Sequence, residues 1–89
     1  MKSKEIKIFG FEECPYCKEL KKMFDDSDLR YVYVDIENDE NKEETEKIFK
    51  AAENELVPIV LIGNTLLVPE KSFKTIEECF GLCKRFLGL

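Results

Sequence analysis

Four cysteines are the residues of this sequence whose type and spacing point to chemistry. Cys14 and Cys17 enclose Pro15 and Tyr16, and Cys79 and Cys83 stand four positions apart near the C-terminus. A C-x-x-C run at the start of a helix places the first sulfur among unpaired backbone N–H groups, where the helix dipole favours a thiolate, and the second one turn further in. That spacing brings the two sulfurs within bridging reach. The outer sulfur then attacks a disulfide, and the inner one resolves the mixed disulfide that results. Lys18 and Lys21 favour negative charge at Cys14, while Glu12 and Glu13 oppose it. The 89 residues contain no histidine, which removes Ser-His-Asp and Cys-His hydrolases and most catalytic zinc sites. A helix-activated dithiol needs no imidazole.

The same four thiols have a second reading, a four-cysteine zinc site stabilising a non-catalytic binding module. Against it, Cys79 and Cys83 fall on the apolar stripe of the last expected helix, and free cysteine is among the most buried residue types. A regular helix does not offer disulfide geometry to positions four apart. Cys14 and Cys17 are therefore expected to be catalytic, Cys79 and Cys83 to be core, and no residue to be a metal ligand.

Length and composition bound the rest. A chain of 89 residues with 44% hydrophobic side chains suits a single domain with one core, residues 1–89. Fourteen basic residues against 19 acidic ones give a formal charge of −5, a field that repels nucleic acid. The N-terminus shows no apolar leader, so a cytoplasmic location is expected. The longest apolar run, Leu56 to Ile62, contains Pro58 and is far shorter than the roughly 20 residues that span a bilayer, so no membrane partner is expected.

Periodicity predicts the elements that position the dithiol. Glu5 to Phe9 alternates as a first strand, with Gly10 as a break. Pro15 to Asp26 repeats apolar residues at helical spacing, with Pro15 at the first helical position. The same spacing points Tyr16 away from Leu20 and Phe24, into a substrate groove. Tyr31 to Ile36 reads as a second strand. Seven acidic residues between Asp35 and Lys47 lack a chelating spacing and suit the start of a second helix, Asn41 to Glu53. Val57 to Ile62 and Thr65 to Val68 form a hairpin about Gly63-Asn64. The last helix begins near Phe73 or Ile76 and runs to Leu87, with Ser72 able to cap it and Thr75-x-x-Glu78 matching a capping box. The order β-α-β-α-β-β-α implies an α/β fold, a mixed four-stranded sheet with helices on both faces.

With these residues in place, the chain resembles the dithiol glutaredoxins of the thioredoxin-like superfamily. The likeness rests on Cys14-Pro15-Tyr16-Cys17 after a strand, on Val57-Pro58 opening the third strand, and on an element order that covers essentially the whole length. The resemblance implies a glutathione-linked thiol–disulfide oxidoreductase acting on protein disulfides or glutathione mixed disulfides. It implies no tightly bound cofactor, with glutathione as co-substrate. It also implies a cis Pro58 beside the active-site sulfurs, with the Val57 backbone hydrogen-bonding to glutathione.

The chain departs from the family pattern in two places. Phe11 stands where a lysine is usual, and Val68-Pro69-Glu70-Lys71-Ser72 replaces a Gly-Gly pair followed by Asp. In that stretch Lys71 offers a cation for a carboxylate, and Ser72 takes the place of the Asp without its charge. These departures keep a second electron supply open, a thioredoxin-like donor fed by thioredoxin reductase.

Overall fold

A computed structural model describes residues 5–89. Residues 1–4, on which the expected absence of a leader rests, lie outside the described residues. Strand β1, Ile6–Gly10, turns Ile6 and Ile8 to one side of the sheet and Lys7 and Phe9 to the other. Helix α1 spans Pro15–Asp26 and buries Cys17, Leu20 and Phe24. Strand β2, Val32–Asp35, is followed by a single 3-10 turn, Asp39–Asn41, and by helix α2, Lys42–Ala52. Strands β3, Ile59–Ile62, and β4, Thr65–Leu67, form a hairpin whose turn has Gly63 at φ +59°. A β-carbon makes that backbone region costly, and glycine reaches it freely. Helix α3, Ile76–Phe86, closes the fold.

The strands lie in the order β2-β1-β3-β4. Strand β1 pairs parallel to β2, placing Ile8 opposite Tyr33 and Gly10 opposite Asp35, and antiparallel to β3. Apolar side chains fill both faces of the sheet. On one face Ile6, Ile8, Val60 and Ile62 pack with Leu20 and Phe24 of α1 and Ile76, Cys79 and Cys83 of α3. On the other, Phe9, Val34 and Ile59 pack with Ala52 of α2.

Several boundaries differ from the pattern-based ones for identifiable reasons. Gly10 extends β1 instead of breaking it, since it pairs with Asp35 and its carbonyl accepts from the Ile36 N–H at 2.9 Å. Strand β3 starts at Ile59, not Val57, because Pro58 has no N–H to give a ladder. Strand β4 ends at Leu67, and the next N–H, that of Val68, donates to Ser72 Oγ at 3.0 Å. Ser72 thus holds the preceding loop, and Thr75 caps α3. Thr75 Oγ1 accepts from Glu78 N–H at 3.1 Å, and Glu78 accepts from the N–H groups of Lys74 and Thr75. Those two donors hold the Glu78 carboxyl below its ordinary range.

The acidic run from Asp35 to Lys47 is distributed over caps and helix turns. Glu43 and Glu44 sit in the first turn of α2, and Glu44 pairs with Lys7 at 2.7 Å. Among the described residues, no helix is long and apolar enough to cross a membrane.

Candidate active site

Cys14 is the N-cap of α1. Its backbone is extended, at φ −75° and ψ 115°, and its carbonyl accepts the first helical hydrogen bond from Lys18 N–H at 3.0 Å. Its sulfur does what an N-cap oxygen does elsewhere and accepts from the Cys17 N–H at 3.3 Å. Pro15 follows at the first helical position, where its missing N–H leaves no donor unsatisfied. The first turn carries no acidic residue, and Glu12 and Glu13 are exposed to solvent. A negative sulfur at this cap gains from the helix dipole and from an aimed donor together.

Cys17 is sealed from solvent, whereas Cys14 keeps 4% of its surface exposed. Burial is the largest cause that pushes the Cys17 thiol up to about 12, followed by its hydrogen bond with Cys14, while donors from the Phe11 backbone and Tyr33 pull the other way. The two thiols therefore have unequal surroundings, with Cys17 fully buried and holding its proton beside a Cys14 that keeps a small exposed fraction.

Three contributors to this inner environment escaped sequence reasoning. A Cβ on Gly10 would stand 2.5 Å from Cys17 Sγ and 2.8 Å from the Tyr33 hydroxyl oxygen, so only glycine leaves room for both. Tyr33 is half-buried, donates its hydroxyl to the Phe11 carbonyl at 3.1 Å, and has Lys21 Nζ 4.1 Å from its ring centroid. Phe11 supplies backbone N–H and C=O from the loop between β1 and α1. The available signal was the period-two alternation of β2, which puts Tyr31 and Tyr33 on the face that meets α1, together with a glycine at the strand end just before the cysteine loop.

Beside the dithiol turn lies a cavity of about 450 Å³ lined by Tyr16 and Glu19 of α1, Leu56, Val57 and Pro58 before β3, and Pro69, Glu70, Phe73, Lys74 and Glu77 ahead of and within α3. Neither sulfur is part of its lining. The Val57–Pro58 bond is cis. Tyr16, 62% exposed, and Leu56, 50% exposed, form an apolar rim. Lys71 and Ser72 do not line this cavity; both face a second, more open one. Lys71 Nζ donates to the Ala52 carbonyl at the end of α2 at 2.7 Å and lies 3.7 Å from Glu53. Among the described residues, the charged groups of the groove are three carboxylates, Glu19, Glu70 and Glu77, and one cation, Lys74.

Cys79 and Cys83 are fully buried between the sheet, α1 and α3. The Cys79 thiol donates to Cys83, and this bond together with burial raises Cys79 far above the ordinary thiol range. The four cysteines do not converge, and among the described residues no three Cys, Asp or Glu side chains are gathered as metal ligands.

A glutaredoxin family model matches residues 6–67 of this chain, well over half of it. Among solved structures, the fold is similar to a buckwheat glutaredoxin–glutathione complex, with TM-score 0.69 and 18% identity, over 93% of this chain and 71% of that one. It is similar to a glutaredoxin from Archaeoglobus fulgidus at TM-score 0.69 and 20% identity, over 91% and 87%. It is also similar to a dithiolic glutaredoxin from Trypanosoma brucei brucei at TM-score 0.67 and 18% identity, over 93% and 80%. These likenesses show a thioredoxin-like α/β fold. A search of curated protein sequences finds no match.

Proposed function

The chain belongs to the glutaredoxin family, which supports thiol–disulfide oxidoreductase activity, and from that premise we propose a glutathione-linked dithiol enzyme in which Cys14 attacks and Cys17 resolves. The observation that carries this reading is the asymmetry of the pair. Cys14 Sγ caps a helix and accepts the Cys17 N–H, while Cys17 is fully buried and keeps its proton.

The Cys14 thiolate attacks one sulfur of the substrate disulfide. A bond forms between Cys14 and that sulfur, and the other half leaves as a thiolate that takes up a proton. Cys17 then attacks Cys14, the substrate's second half departs as a thiol, and the enzyme is left with a Cys14–Cys17 disulfide. Two glutathione molecules reduce it and become glutathione disulfide, so electrons balance. Tyr16, Val57 and Pro58 are the groups that would receive the substrate's cysteine moiety. The glutathione bound to the buckwheat neighbour supports the choice of co-substrate. Lys71 and Ser72, proposed from sequence as glutathione contacts, would have to leave the Ala52 carbonyl and the Val68 N–H to serve. A reducing compartment such as the cytoplasm suits a dithiol that acts from its reduced form.

The charge of the groove favours a second electron supply. Glutathione is anionic, and three of the four charged residues lining the cavity are carboxylates. A donor that brings no glutathione carboxylates into this groove, such as thioredoxin reductase, avoids that particular repulsion. The deciding experiment is a coupled assay of NADPH oxidation, with glutathione and glutathione reductase in one arm and thioredoxin reductase in the other. Turnover in the first arm is expected; turnover in the second arm alone replaces glutathione with the reductase as donor.

A further inference from the structure

The reaction sequence above leaves one problem unsolved, because Cys17 must become a nucleophile in a place that penalises its charge. Burial is the main reason its thiol resists ionisation, and the groups that act on it, Cys14, the Phe11 backbone and Tyr33, include no basic side chain. Its sulfur shares the space above Gly10 with the Tyr33 hydroxyl, each standing within 3 Å of the point a Cβ would occupy. Tyr33 has one proton to donate, and in the reduced protein that proton points to the Phe11 carbonyl at 3.1 Å. The carbonyl also accepts the Cys14 N–H at 3.2 Å, so it stays satisfied when the hydroxyl turns away.

We propose that the Tyr33 hydroxyl is the switchable donor of the resolving step, rotating from the Phe11 carbonyl to the Cys17 sulfur as negative charge develops there. The inference rests on the dithiol reading. In the step, the Cys14–substrate S–S bond breaks, the Cys14–Cys17 bond forms, and the Cys17 proton ends on the departing substrate thiol. Tyr33 keeps its own proton throughout. Burial first, and then the neighbouring Cys17 sulfur, raise its phenol above the ordinary range and so preserve it as a donor. A hydrogen bond to a charged acceptor is worth roughly twice a neutral one, and it is realised only once Cys17 ionises. Of the groups facing this spot, Lys21 over the Tyr33 ring favours negative charge and Asp35 opposes it, while Cys14, bonded to the substrate in this step, carries none.

The test uses 5,5′-dithiobis(2-nitrobenzoate) on the reduced full chain. The first nitrothiobenzoate released reports attack by Cys14, and the second reports resolution by Cys17. Tyr33→Phe keeps the ring against Lys21 and removes only the donor. It is expected to slow the second release by about tenfold and to move its pH profile upward, leaving the first release unchanged. In a Cys17→Ser background, Tyr33→Phe is expected to change nothing. Difluorotyrosine at position 33, a stronger donor in the same shape, is expected to accelerate the second release and covers the case of a poorly folded phenylalanine variant. An unaltered second release in both Tyr33 variants overturns the proposal, as does an equal slowing of both releases. A wild-type protein that releases a single equivalent ends the dithiol reading itself, a result separable from failure of the tyrosine.

Discussion

The backbone N–H of Cys17 donates to the sulfur of Cys14 at 3.3 Å, so in the proposed reaction the resolving residue also holds the attacking sulfur in place. Because the donor is backbone, replacing the Cys17 side chain leaves this hydrogen bond in place. The two cysteines can therefore be separated by mutation.

Cys14→Ser is expected to abolish turnover on every disulfide substrate. Cys17→Ser is expected to keep reduction of glutathione mixed disulfides, which needs only the attacking thiol, and to accumulate a mixed disulfide with protein substrates. Activity assays with mass spectrometry of the trapped adduct check both. Equal loss in the two variants contradicts the assigned roles.

The proton on Cys17 links chemistry to stability. A thiol raised to about 12 in the folded protein binds its proton more tightly folded than unfolded. Its contribution is therefore fully present below the ordinary thiol range and is lost as pH climbs from there towards about 12. Thermal melts of the reduced protein at rising alkaline pH are expected to fall more steeply than those of Cys17→Ser. Iodoacetamide at neutral pH is expected to label Cys14 and spare Cys17, read by peptide mass spectrometry.

Gly10→Ala tests the tightness of the inner pocket. The added methyl meets a buried sulfur at 2.5 Å and the Tyr33 oxygen at 2.8 Å, an overpacking that costs about 1–3 kcal/mol. Urea unfolding at constant m-value is expected to show that loss. A midpoint equal to wild type means that the two side chains shift without strain.

Groove charge is expected to set the Michaelis constant for glutathione. Glu70→Lys and Glu77→Lys each replace repulsion by attraction at exposed positions, and each is expected to lower that constant about twofold to fivefold at low salt. The gain should shrink as salt rises, as screening requires. A constant indifferent to both substitutions places the glutathione carboxylates elsewhere.

Much of this protein is legible in local sequence because the forces concerned are local. Pro15 at the first helical position, the apolar spacing of Cys17, Leu20 and Phe24, and the Thr75–Glu78 capping box each act within one or two helical turns, and the observed α1 and α3 follow them. The helix N-terminus under Cys14 is a property of one short segment. The inner half of the site is of another kind. Gly10, Phe11, Cys17 and Tyr33 come together only because β1 and β2 pair in parallel with Ile8 opposite Tyr33, and a change in that register would turn Tyr33 to the other face of the sheet. Lys71 shows the same division, since its sequence position suggests a ligand cation and its neighbour in space, the end of α2, takes that cation as a cap. Local sequence places Cys14 at the cap of α1, because helix-start signals act within one turn and need no distant partner. Tertiary packing alone decided what surrounds the second sulfur, because burial and cross-strand donors arise from segments distant along the chain.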